Sequence, residues 1–127
     1  MPDPSAAHKI IKSLHTARIS GDLPGMVRLF SEKGQFQILG ASADKPIAIQ
    51  TVDIVGFKPW LAMLVKVFRV NNYELLTLTT EWPRVVAHWR ADIYSKVTGV
   101  SVATELVDIA EVDGERILSY TEFFAPR

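Results

Sequence analysis

The stretch Val86-Ala87-His88-Trp89-Arg90-Ala91-Asp92-Ile93-Tyr94 decides how the chain is read. At the two-residue period of a β-strand, successive side chains point to opposite faces. One face carries Val86, His88, Arg90, Asp92 and Tyr94, and the other carries Val85, Ala87, Trp89, Ala91 and Ile93. An apolar row is what a half-buried strand requires. The polar row is more informative, because ionisable groups are costly to bury unless they are paired, hydrogen-bonded or used. In a chain that is 48% apolar, that row is the expected wall of a pocket.

Working outward, Arg84 to Lys96 is one of four long segments rich in Val, Ile, Thr and aromatics, the others being Glu74 to Glu81, Val100 to Val112 and Arg116 to Phe124. Trp82-Pro83, Val97-Thr98-Gly99 and Asp113-Gly114 separate them, which predicts an antiparallel meander. Upstream, Ser5 to Ser20 reads as a helix with Ser5 as N-cap and Ile10, Ile11, Leu14, Arg18 and Ile19 at spacings of three and four. Gly21-Asp22 ends it, and Asp22 offers a cap to a short second helix with Pro24 in its first turn and Met26, Val27, Leu29 and Phe30 on its buried side. Ser31 to Gly34 reads as a turn, Gln35 to Leu39 as a short strand, Gly40 to Pro46 as a small-residue loop and Ile47 to Val55 as an edge strand. Gly56 to Phe68 is expected to be a third helix, with Pro59 in its first turn and Trp60, Leu61, Leu64, Val65 and Phe68 facing inward. Helices first and strands after argue an α+β fold whose curved sheet wraps three helices on one side. No repeat, linker or boundary interrupts residues 1–127, so a single domain is expected.

Fourteen basic and fourteen acidic residues cancel, which argues against nucleic acid or an anionic membrane surface as partner. The absence of cysteine excludes a thiol nucleophile, a disulfide framework and a thiolate metal site. Three scattered histidines do not assemble a metal shell, and the glycines read as turn residues rather than a phosphate loop, so no metal and no cofactor are expected. Met1 to Ser5 lacks the pattern of a signal peptide and no apolar run approaches the about 20 residues of a membrane span, giving an expectation of a soluble, cytoplasmic protein.

The order of elements resembles the nuclear transport factor 2-like superfamily, the cone-shaped, cystatin-like fold of SnoaL-like polyketide cyclases, ketosteroid isomerases and limonene epoxide hydrolases. The resemblance covers nearly the whole chain. It rests on Ser20-Gly21-Asp22-Leu23, on Leu106-Val107-Asp108-Ile109 leading to Asp113-Gly114 and Ile117, and on Ser119-Tyr120-Thr121-Glu122-Phe123-Phe124. Arg90-Ala91-Asp92 resembles the Arg-x-Asp of the epoxide hydrolases, and Glu122 falls where those enzymes carry a second acid. Leu106-Val107-Asp108-Ile109 resembles the isomerase strand whose aspartic acid stays protonated and donates to an oxyanion. The isomerase's helical tyrosine and basic aspartate correspond to about Leu14 and Ile38, so that pair is not carried over.

The resemblance implies a cofactor-independent acid–base enzyme of isomerase, cyclase or epoxide-hydrolase type acting on a small hydrophobic molecule. Asp92 is the expected base, Arg90 its orienter, Glu122 the acid or second base, and Asp108 a protonated donor, with His88, Tyr94, Tyr120, Phe124, Leu14, Phe30, Ile38 and Trp60 around the substrate. His8 and His15, without acidic partners at helical spacing, read as surface or groove residues. The alternative is a non-catalytic ligand-binding or dimerisation module of the same fold. The apolar row Val85, Ala87, Trp89, Ala91 and Ile93, if it faces outward, predicts a homodimer through the outer sheet face.

Overall fold

The computed structural model describes residues 4–42 and 45–127. Along the chain run α1 (Pro4–Ser20), α2 (Leu23–Arg28), β1 (Phe30–Ser42), β2 (Lys45–Val52), α3 (Asp53–Lys66), β3 (Phe68–Glu81), β4 (Arg84–Ser95), β5 (Ser101–Asp113) and β6 (Arg116–Pro126). Among the described residues the strands form one six-stranded sheet of order β2-β1-β6-β5-β4-β3. β1 runs parallel to β6, and every other neighbouring pair is antiparallel. The expected α+β architecture is observed.

Local chemistry explains the joints. Gly21, at φ +76°, stops α1 in a backbone conformation that a side chain disfavours, and the Asp22 carboxylate then accepts the Gly25 N–H at 3.0 Å to open α2. Residues 31–34, read as a turn, are absorbed into β1 through an irregularity in its pairing with β6 between Phe30 and Gln35. The expected loop Gly40 to Pro46 is ladder on both sides, Gly40 opposite Ile47 and Ala41 opposite Pro46. Residues 43 and 44 of it, like residues 1–3, lie outside the described residues. β2 ends at Val52 because Asp53 takes φ +56° and its carboxylate accepts the Gly56 N–H at 3.2 Å. α3 therefore starts three residues earlier than the sequence suggests, and Pro59 falls in its second turn.

The sheet's inner face packs on α1 and α3. Ala7, Ile10, Ile11 and Leu14 from α1, with Phe57, Leu61 and Leu64 from α3, are buried against it. Ile19, expected in the same stripe, is 41% exposed in the last turn, and Arg18 is buried beside it.

Register then decides which face of β4 is inside. Residues directly opposite in a ladder share a face. Ala87 lies opposite Asp108, Asp108 opposite Glu122, and Glu122 opposite Ile38. Val85, Ala87, Trp89 and Ala91 are accordingly buried under the helices, Trp89 being 1% exposed. The sequence expectation is reversed here: the apolar row lies inside, not on a dimer surface, and His88, Arg90, Asp92 and Tyr94 lie on the outer face. The cause is desolvation. Covering that row with helices would strip water from three ionisable groups, whereas outside Arg90 pairs with Glu74 at 3.2 Å and His88 with Glu105 at 3.4 Å.

This assignment has a direct test in chemical denaturation. Trp89→Ala should lower stability by about 3–5 kcal/mol, as expected for emptying a packed aromatic site. Arg90→Ala, on the same strand, should leave the unfolding midpoint within error.

Candidate functional site

Four ionisable side chains from the two ends of the chain meet in the interior. His15 and Arg18, one helical turn apart on α1, face Asp108 on β5 and Glu122 on β6, and all four are at most 7% exposed. They divide into two connected halves.

One half is sealed. Asp108 Oδ2 accepts the Trp89 Nε1–H at 3.0 Å and lies 2.6 Å from His15 Nε2. His15 Nδ1 lies 2.6 Å from the Tyr73 hydroxyl. An imidazole carrying its proton on Nε2 satisfies both ends, donating to Asp108 and accepting from the Tyr73 O–H. Tyr73 points inward as the neighbour of outward-facing Glu74, and the irregularity between Asn71 and Glu74, with Asn72 at φ +55°, inserts one extra residue just before it. Burial, and then the Asp108 charge, push the Tyr73 phenol up to about 12.

The other half opens on a cavity. Glu122 Oε1 accepts from Arg18 Nη1 and, at 3.0 Å, from the Tyr120 O–H. Burial pulls the Arg18 guanidinium down, but the charges of Glu122, Tyr120 and Asp108 more than offset that and hold it above its ordinary value. Its carbon lies 5.3 Å from the Trp89 ring centroid, within cation–π range. Burial, then Asp108 and Glu122, hold the Tyr120 phenol well above its usual range, so it remains a donor.

The cavity has a volume of about 750 Å³, within the range of small-molecule sites. Arg18 and Glu122 stand in a wall otherwise built mainly from apolar groups such as Ile38, Trp60, Leu106 and Phe124, and Val97, Val100 and Val102 form its partly exposed lip. Gly40 makes room for Phe124, since a Cβ at position 40 would sit 2.6 Å from its ring. Among the described residues Glu122 Oε2 and Arg18 Nη2 have no hydrogen-bond partner. Asp108 Oδ1 and Arg18 Nε are also unpartnered, but they are sealed away from solvent.

The sequence expectations fare unevenly against this geometry. Asp108 and Glu122 converge as expected, while Arg90 and Asp92 do not join them. Asp92 accepts from Asn72 Nδ2 at 2.7 Å on the outer face, where it braces the irregularity in β3. His88 and Tyr94 are also on that face. Of the expected pocket residues, Ile38, Trp60 and Phe124 line the cavity and Tyr120 lies behind Glu122, but Leu14 and Phe30 are core. Asp108 is fully buried, does not line the cavity and presents Oδ2 as an acceptor, so it is not placed to donate to a ligand. His15, read as a surface or groove residue, is 3% exposed. Its signal was available, since it lies four residues after Ile11 and three before Arg18, on the helix's apolar side. Among the described residues no group of three or more His, Asp or Glu side chains could hold a metal ion, and no helix is long and apolar enough to cross a membrane.

No protein-family model matches the chain, and no curated protein matches it. Solved structures do. A Bacillus subtilis protein described as a candidate isomerase superposes with a TM-score of 0.81 at 16% identity, over 98% of this chain and 89% of its own. An NTF2-like protein from Burkholderia xenovorans gives 0.78 at 18% identity, over 96% and 91%. An LEH-like epoxide hydrolase from M. tuberculosis gives 0.73 at 10% identity, over 97% and 85%. These likenesses show the fold: the chain is an α+β cone of the nuclear transport factor 2-like type, a fold with candidate isomerases and an epoxide hydrolase among its examples.

Two stability measurements probe the site. Glu122→Leu alone should cost about 3–5 kcal/mol, because it strands a buried guanidinium, and adding Arg18→Met should restore much of the loss. Separately, Tyr73 and Tyr120 bind protons more tightly in the folded chain than in the unfolded one. Their contribution is therefore complete below the ordinary tyrosine pKa of about 10 and falls as pH rises. For Tyr73 the loss runs up to about 12. Urea midpoints should drop across that alkaline window, and Tyr73→Phe should flatten the drop.

Proposed function

We propose that the chain is a cofactor-independent acid–base enzyme that moves a proton within a small, largely apolar carbonyl compound. The observation that carries this reading is that Glu122 presents one carboxylate oxygen to an otherwise apolar cavity while its other oxygen is held by Arg18 and Tyr120. In the proposed step Glu122 Oε2 takes a proton from the carbon between the carbonyl and a β,γ double bond, the C–H electron pair becomes a new C=C bond as the C=O π pair moves onto oxygen, and Arg18 stabilises the resulting dienolate. Glu122 then returns the same proton to a different carbon, so the product is an isomer and no co-reactant is consumed. Apolar walls favour this chemistry, because a charge forming away from water interacts more strongly with a fixed cation. Epoxide opening by two carboxyl groups has weaker support, since it requires both to reach the ligand and Asp108 is sealed behind the site. The second reading, binding without turnover, draws on the same cavity and its already neutralised ion pair.

A panel of β,γ-unsaturated cyclic ketones and small epoxides tests the proposal by chromatography. Isomerisation of a ketone should occur, and Glu122→Gln should reduce it by at least about a hundredfold, the usual scale for loss of a general base. Asp92→Asn should leave it unchanged. Turnover that survives Glu122→Gln would refute the assigned base.

The homodimer remains a proposal on the outer sheet face, now through the row Leu39, Phe123 and Val107 instead of the buried β4 row. Phe123, 39% exposed, is the centre of that row. Sedimentation should show a dimer that Phe123→Lys dissociates.

A further inference from the structure

We propose that the cavity selects an uncharged amphiphile whose single polar head is a carboxamide. This rests on the cavity being the ligand site, as above, but not on its performing any reaction.

The argument starts from the polar atoms available to a ligand. At the Arg18–Glu122 end, the inner hydrogen bond uses Nη1 and Oε1, which leaves one donor, Arg18 Nη2, and one acceptor, Glu122 Oε2, without partners among the described residues. Neither is sealed off as Arg18 Nε is. Elsewhere on the wall Thr104 donates to the Val102 carbonyl at 2.8 Å, and the Ser95 and Thr98 hydroxyls, out by the lip, accept backbone N–H groups of the turn that follows β4.

The charge at this end is self-cancelling. An anionic head drawn to Arg18 would be set against Glu122, and a cationic head drawn to Glu122 would be set against Arg18. Away from water neither repulsion is screened, and a charged head would also lose its hydration. A neutral head avoids both penalties. Among neutral heads, a hydroxyl must meet both sites through its single oxygen, whereas an ester or ketone offers Glu122 only a C–H, the bond the proposed reaction breaks, and no hydrogen bond. A primary carboxamide carries its C=O and the syn N–H along one edge, so it can accept from Arg18 and donate to Glu122 together. Its tail then lies along Ile38, Leu106 and Phe124 toward the lip at Val97 and Val100, which are 81% and 54% exposed.

The test is calorimetric titration of the full chain at neutral pH with octanamide, octanoate, octylamine and octanol, which share a tail length and differ in the head. Octanamide should bind at least about tenfold more tightly than either charged analogue, a modest demand given the cost of juxtaposing like charges in an enclosed site. A smaller preference over octanoate or octylamine, binding of octanol as tight as that of octanamide, or no binding of octanamide overturns the proposal. Two variants extend it. Glu122→Gln uncovers Arg18 and should invert the order in favour of octanoate, and Arg18→Met uncovers Glu122 and should invert it in favour of octylamine. If folded variants, checked by circular dichroism, keep the original order, the ion pair does not read the head and the proposal fails. If either variant does not fold, the wild-type ranking decides. Octanamide binding without ketone turnover would remove the catalytic reading and leave this one standing, whereas ketone turnover without octanamide binding would do the reverse.

Discussion

The structure depends on four buried ionisable side chains compensating one another. His15 and Asp108 are 93 residues apart in sequence, and Arg18 and Glu122 are 104 apart, yet each pair is in direct hydrogen-bonding contact in the interior. Sequestering any one of these groups alone would be strongly unfavourable, so α1 can dock on the sheet only where all four find partners. Apolar contacts would tolerate small slides of α1 along β3 and β4. The polar contacts would not, and they fix the helix at one height over the cone.

That arrangement separates two tasks within one cluster. Tyr73, His15, Asp108 and Trp89 form the enclosed part and leave nothing facing the cavity. Arg18 and Glu122 form the part a ligand can meet. Trp89 joins them, giving its indole N–H to Asp108 and its ring face to the Arg18 guanidinium. A neutral, rigidly held ion pair at one end of an apolar space is suited to electrostatic work, since its dipole is oriented before anything binds.

Much of the architecture was legible in the sequence, because helix and strand periods and turn residues are local properties. The four late strands, the two early helices and the Gly21-Asp22 joint all followed from spacing and composition. What escaped was set between strands. Alternation along β4 defines two faces and desolvation favours the apolar one as inner, but that Asp108 and Glu122 share the apolar face follows only from the pairing of Ala87 with Asp108 and of Asp108 with Glu122. Reading Arg90 and Asp92 together with Asp108 and Glu122 amounted to a slip of one residue in that ladder. Arg18 did show as a charge within an apolar helical stripe, but its partner lies on the last strand, and no local pattern connects positions so distant. For His15 the apolar side of the helix signalled burial, but its acidic partner was hidden for the same reason, since Asp108 is not on its own helix. The start of α3 was missed because Asp53 adopts a left-handed backbone angle, which side-chain periodicity does not reveal.

The additional residue in β3 changes what variation in chain length would mean here. Ordinarily the loss of one residue within a paired strand turns every subsequent side chain over, exchanging interior for exterior along its length. Asn72 is already out of phase, with Asn71 opposite Asp92 on one side of it and Glu74 opposite Arg90 on the other. Excising it would leave the two flanking halves in the orientations they now have and sacrifice only the brace to Asp92. Shortening at that point, unlike a cut within the regular ladder, keeps the strand's faces in place, and evolution or an engineer could trim there while Tyr73 still meets His15.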